Sequence, residues 1–265
     1  MTTLRLVLEY DGTDFHGWQS QPSARTVEGV LRSALEQVTG ESPRLTAAGR
    51  TDAGAHSHGQ VVGVRLEHQW EPQPLATALN AVLPADAAVR GAAQAVDTFH
   101  ARFDATSRTY RYLVMPRRER SPLLRRYAWQ VGGELDDAAM RRAAALLRGT
   151  HDFAAFGRSP RPGGGTVRTV QHVGVRRIAP LEDPATPVLV IEVSADAFLY
   201  GMMRGFAGAL VAVGRGRRSV DELAGMLADP SCGRTVTVAP ARGLHQWAVT
   251  YPAAPPAALA SETSA

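Results

Sequence analysis

The chain has 265 residues, 45% of them apolar, with a formal charge of +4 at pH 7, which allows one large domain or two small ones with a buried core. No run approaches the roughly 18 uninterrupted apolar residues of a membrane span, and the opening MTTLRLVLEYDGTD lacks the basic-then-apolar pattern of a secretory signal. A single cysteine, Cys232, excludes an intrachain disulfide and a cysteine-built zinc site, so a reducing cytoplasm is the simplest setting.

Residues 4–10, LRLVLEY, alternate Leu4, Leu6, Leu8 and Tyr10 with Arg5, Val7 and Glu9, the two-residue period of a strand. The Gly- and Asp-bearing stretch DGTDFHGWQSQP then reads as a loop to Pro22. In TVEGVLRSALEQVTG the apolar positions Val27, Val30, Leu31, Ala34, Leu35 and Val38 have helical spacing, with Thr26 as N-cap and Gly40 as terminator. GQVVGVRL at 59–66 reads as a strand, which leaves AAGRTDAG in the connection before it. Pro74 to Leu83 reads as a helix stopped at Pro84. Residues 108–115 alternate again, with Tyr110, Tyr112 and Val114 on one face. Leu135 to Arg148 is an Ala-rich helix capped by Asp136 and stopped by Gly149, and SPRPGGG at 159–165 is a loop. Strands near 170–177 and 187–195 precede YGMMRGFAGALVAVG, a glycine-bearing buried helix. Ser219 to Glu222 is a capping box opening a short helix that ends before Pro230. LHQWAVTY at 244–251 is the last strand, and the tail 253–265 has the composition of a disordered segment.

Strands and helices mixed at irregular spacing imply an α+β fold, mainly antiparallel, with helices on one face of the sheet. The expected organisation is an N-terminal half at 1–105 and a C-terminal half at 106–252, with the site in a cleft between them.

Charge divides along the same line. Residues 1–105 hold 8 arginines against 12 carboxylates, a balance of −4, and residues 106–265 hold 21 against 13, or +8. The segment 102–126 alone carries 8 arginines against Asp104 and Glu119, with Tyr110, Tyr112, Tyr127 and Trp129 in or beside it. Guanidinium groups pair with phosphate and stack on bases, which suits a nucleic-acid backbone. All 29 basic residues are arginine, a bias that coding preference also produces, so charge alone leaves both readings open.

The densest chemistry lies in AAGRTDAGAHSHG, residues 47–59, where Gly49 and Gly54 bracket Arg50, Thr51 and Asp52, and His56 and His58 follow. No HExxH, i,i+4 histidine pair or cysteine partner accompanies the histidines, which argues against a metal. His56 either shapes the loop or touches a ligand. There is no dinucleotide fingerprint, P-loop or CxxC. Glycosidases flank the scissile bond with two carboxyl groups, and Asp52 has no second acid at a comparable turn. One carboxylate suffices if it is a nucleophile.

DFHGWQSQP (14–22), GRTDAGAH (49–56), NAVLP (80–84), FHARFDATSRTYRY (99–112), HDFAAF (151–156) and the helix bearing Arg204 together closely resemble the TruA class of pseudouridine synthases, from about residue 4 to Pro252. The resemblance implies an isomerase of uridines 38, 39 and 40 in the tRNA anticodon stem-loop, working as a homodimer without metal or cofactor. It implies that Asp52 is the catalytic carboxylate, attacking C1′ or C6 or first removing a sugar proton. Arg50 would help extract the uridine, and Arg204 would pair with the carboxylate. Tyr110 would stack on the uracil and take the C5 proton, and Leu244 would wall the pocket. Where the class often has a histidine and an asparagine around the helix arginine, this chain has Gly201 and Gly205. Lysines used for tRNA in relatives are arginines here. Both departures bear on tRNA contacts rather than on the reaction.

Overall fold

The computed structural model describes residues 1–180, 187–232 and 236–252. The tail at 253–265 lies outside the described residues. The chain forms β1 (Thr2–Tyr10), α1 (Val27–Thr39), β2 (Leu45–Ala47), β3 (His56–Leu66), α2 (Pro72–Val82), β4 (Ala87–Gln94), β5 (Ser107–Pro116) and β6 (Trp129–Val131). It continues with α3 (Asp137–Leu146), β7 (Gly149–Asp152), β8 (Val167–Ile178), β9 (Val188–Ala195), α4 (Met202–Gly214), α5 (Val220–Ala228) and β10 (Leu244–Thr250). The class is α+β. None of these helices is long and apolar enough to cross a membrane.

Capping residues set the helix starts as the sequence indicates. Thr26 accepts from the Gly29 N–H, Asp136 accepts from the Ala139 N–H, and Ser219 and Glu222 close both halves of a capping box. Among the helices, α2 and α3 differ from expectation at their boundaries. α2 opens at Pro72, because the first helical turn needs no donor there. α3 ends at Leu146, and Gly149 opens β7 instead of stopping the helix.

All strands join one 10-stranded sheet of order β4-β1-β3-β10-β5-β9-β8-β7, with β2 on β3 and β6 on β5. Pairing is antiparallel except for β10 on β3 and β6 on β5. Two large apolar clusters lie along it. One joins Leu4, Leu6, Leu8 and Tyr10 of β1 to Leu31 and Leu35 of α1 and to Leu75 and Leu79 of α2. The other joins Tyr110, Tyr112 and Val114 of β5 to Met202, Met203, Phe206 and Leu210 of α4.

Between the clusters runs a polar seam. β10 meets β3 through two register pairs, His245 with His56 and Gln246 with Ser57. Tyr10 also sits opposite Ser57, and Tyr110 opposite Gln246. Because opposed residues share a face of a sheet, Tyr10, Gln246 and Tyr110 come side by side where the clusters meet.

Candidate active site

Asp52 follows β2 in the connection to β3, and the loop at 11–18 grips that connection through its backbone. Trp18 N–H donates to the Thr51 carbonyl at 3.1 Å, and Gly54 N–H donates to the Phe15 carbonyl at 3.2 Å. Gly17 makes this approach possible: its φ is +88°, and a Cβ there would meet the Thr51 carbonyl oxygen at 2.8 Å. From below, the Thr51 and Tyr10 hydroxyls bond at 2.8 Å, and Gln60 Nε2 donates to the Gly49 carbonyl at 2.7 Å. The loop is therefore fixed on both sides while Asp52 faces away from its supports.

What Asp52 faces is Arg204, 152 residues later. Arg204 Nη1 donates to Asp52 Oδ2 at 2.6 Å, with the side chains 21% and 15% exposed respectively. Arg204 Nε donates to the Ala239 carbonyl at 2.7 Å, which stops the guanidinium from swinging. α4 can bring Arg204 this far in because Gly205 lies against the Phe156 carbonyl, where any Cβ would overlap the oxygen. The Gly205 departure is thus a packing requirement of the helix.

Tyr110 completes the cluster. Its ring is buried and meets Phe198 edge-on with centroids 4.7 Å apart. Its hydroxyl lies 3.3 Å from where a Gly49 Cβ would stand, so the glycine leaves room for it. Burial pushes the Tyr110 phenol up to about 12; the negative charge of Asp52 adds to the rise, and Arg108 opposes it. The group is a neutral phenol at neutral pH. A carboxylate held on one oxygen, a phenol and an apolar wall form a site suited to attack on a planar electrophile.

A family profile described as tRNA pseudouridine synthase matches residues 6–104 and 143–252. The chain belongs to the tRNA pseudouridine synthase family. It is 43% identical over 252 residues to a tRNA pseudouridine synthase A of Roseiflexus sp. (strain RS-1), covering 95% of this chain and 92% of that one. It is 45% identical over 252 residues to that of Chloroflexus aurantiacus (strain ATCC 29366 / DSM 635 / J-10-fl), covering 95% and 90%. With that of Chlorobium phaeovibrioides (strain DSM 265 / 1930) identity is 39%, covering 95% and 100%.

The other site residues of this synthase fall in different surroundings. Arg50 is exposed and makes no ion pair among the described residues. Among the described residues Asp52 is ion-paired with Arg204 alone; Thr51 is buried and Arg50 exposed. Leu244 is buried at the start of β10, after the Ala241–Gly243 turn that approaches Gly54.

His56 is 2% exposed and shapes the loop from inside. Gly12 N–H donates to its Nδ1 at 3.1 Å, and its Nε2 donates to the Arg126 carbonyl at 2.9 Å. Burial lowers its pKa, against the pull of Asp11. Among the described residues, no group of three His, Cys, Asp or Glu side chains could hold a metal ion.

The Arg-rich segment is less free than its count suggests. Arg108 is buried, with its guanidinium bonded to the carbonyls of Ala48, Arg102, Ala105 and Asp196. Arg111 is paired with Glu192 at 2.5 Å. Arg102, Arg118, Arg120, Arg125 and Arg126 remain exposed. Sequence reasoning passed over Gly17, Tyr10, Gln60 and Arg108, which hold the loop. The only signal for them was their occurrence within or beside the family blocks.

Proposed function

We propose that this chain converts uridine to pseudouridine at positions 38, 39 and 40 of the tRNA anticodon stem-loop, with Asp52 as nucleophile. Family membership supports the reaction class, and the observation that carries the assignment to this site is the Asp52–Arg204 pair beside Tyr110. The reaction breaks the N1–C1′ bond and forms a C5–C1′ bond. N1 gains the proton that C5 loses, so it requires neither oxidant nor cofactor. Arg204 holds Oδ2 of the carboxylate, so Oδ1 is the oxygen that attacks C1′ or C6.

Tyr110 stacks on the displaced uracil. As a neutral phenol it accepts the C5 proton only while releasing its own hydroxyl proton. Arg50, exposed at the mouth of the loop, takes the place of the base drawn out of its stack. Leu244 closes the apolar side of the pocket, and His56 holds the loop toward the RNA. The halves 1–105 and 106–252 form the walls of the cleft, and exposed arginines of 102–126 follow the phosphate backbone. A homodimer in the cytoplasm completes the reading.

The test is tritium release from C5-labelled uridine in unmodified tRNA, with mass mapping of the anticodon arm. Asp52→Asn is expected to lower turnover at least about a thousandfold while tRNA affinity stays within a few-fold. An Asn variant with wild-type turnover refutes the assignment, as does a wild-type enzyme that leaves every uridine unchanged.

A further inference from the structure

Tyr200 stands two residues after Phe198, the ring against Tyr110, and four before Arg204. The residue is 49% exposed, although it lies four residues from an ion pair whose side chains are only 21% and 15% exposed. Its backbone is firmly held: Tyr200 N–H donates to the Arg158 carbonyl at 2.9 Å, and Arg158 N–H donates back to Tyr200 at 3.2 Å. Gly157 wedges this bridge against the start of α4, where a Cβ would meet Leu199 Cβ at 2.8 Å. The Arg158 guanidinium carbon lies 4.6 Å from the ring centroid, and Arg158 has no carboxylate partner among the described residues.

Other exposed aromatics are already engaged. Trp247 carries both Arg111 at 3.6 Å and His58 at 4.5 Å. Phe103 stacks with His100 at 4.2 Å and has Arg102 at 5.6 Å. Tyr200 has a cation on its ring and half its surface in water, on a backbone that cannot collapse inward.

We propose that Tyr200, backed by Arg158, is a stacking subsite for the nucleobase next to the target uridine. The proposal rests on the RNA-modifying reading above. Drawing one base out of a helix strips its neighbour of a stacking face, and a rigid aromatic restores that face at any sequence, because every base has a π surface. The guanidinium supplies a positive charge beside the adjoining phosphate. The tether through Phe198 and Arg204 keeps this platform in register with the carboxylate.

The test is a coupling cycle on an Asp52→Asn background, so that binding is read without turnover. Affinity is measured for a stem-loop RNA with an intact nucleotide or an abasic one beside the target. Tyr200→Ala is expected to weaken the intact RNA on the order of tenfold or more, and Tyr200→Phe to stay within about twofold. The abasic RNA should bind more weakly to the Tyr200 protein and lose little further with Tyr200→Ala. Arg158→Ala should weaken binding by a smaller factor and remove part of the salt dependence.

Losses that multiply independently at both neighbouring positions overturn the subsite, as does a Tyr200→Ala protein that binds like its parent. Because Tyr200 is half exposed, its Ala variant should unfold at the parent's temperature, and a drop of many degrees would instead make the residue structural. Turnover by the Asp52 protein on tRNA judges the reaction separately, so failure of either idea is recognised on its own.

Discussion

The apolar clusters and the seam between them hold strands together with opposite materials. In the C-terminal cluster Phe153, Phe156 and Phe206 meet edge-on in all three pairings, with centroids 5.2 to 6.2 Å apart. In the seam, His56 stacks on His245 at 4.7 Å, and His58 Nε2 meets His245 Nδ1 at 3.2 Å. Carbonyl oxygens only accept, so His56 and His245 both carry hydrogen on Nε2, bonded to Arg126 and Tyr127. His245 Nδ1 is then free to accept from His58 Nε2, while His58 Nδ1 faces Glu9 Oε1 at 3.2 Å, so a neutral His58 donates to one of these two partners and only a protonated one to both. The clusters depend on volume, whereas the seam depends on every proton being in place.

Removing volume should have the largest effect on stability. Phe206→Ala leaves a cavity in a fully buried aromatic trio and is expected to cost about 3–5 kcal/mol, read from denaturant midpoints. A loss under about 1 kcal/mol would mean that α4 closes over the gap, and the contrast with the seam would fail.

Acid tests the seam directly, with an effect of intermediate size. Burial lowers His56 and His58 below the usual histidine range and takes His245 down to about 3. The unfolded chain binds these protons near 6.5 while the folded seam refuses them. Stability from this source is therefore complete above about 6.5 and declines as the pH falls toward about 3. Glu9 and Asp11 favour protonation of these rings, whereas Arg90 opposes it. Melting temperature should drop over that window, and His245→Phe should remove part of the slope. An unchanged slope in that variant would place the acid sensitivity elsewhere.

The smallest effect is expected at Gln246. Its Nε2 donates to Gln60 Oε1 at 3.1 Å, but its own Oε1 is buried without a donor. Gln246→Leu loses one bond and relieves one orphan acceptor while taking the donor from Gln60 Oε1, so the terms largely offset and stability should fall by only about 1 kcal/mol. A loss of several kcal/mol would show that Gln60, and through it the Gly49 carbonyl, depends on this amide.

Much of this architecture was legible in the chain itself. Alternation identified β1 and β5, and caps at Thr26, Asp136 and Ser219 marked three helices. Strands expected at 59–66, 170–177, 187–195 and 244–251 correspond to β3, β8, β9 and β10, whereas β2, β4, β6 and β7 escaped for physical reasons. β4, AAVRGAAQ, is rich in alanine and has no clear alternation; β2 and β6 are three residues each. β3 was read from Gly59, because His56, Ser57 and His58 look like loop until β10 is there to bond them.

Asp52 stood out as a lone acid on a glycine-flanked turn, and Arg204 as a charge in an apolar helix. Their meeting depends on contacts between distant segments, which local pattern does not encode. Charge counting overstated the basic surface, since burial of Arg108 is visible only once its four carbonyl partners converge.

β10 is central in space yet last among the described strands in sequence. Before residues 244–250 leave the ribosome, β3 and β5 have no strand between them, and the loop of Asp52 has no fixed relation to Tyr110. Each apolar cluster can gather much of its oily interior during synthesis, but the placing of Asp52 beside Tyr110 waits for this final strand. A fragment stopped short of it would keep much of its secondary structure and lack an assembled centre.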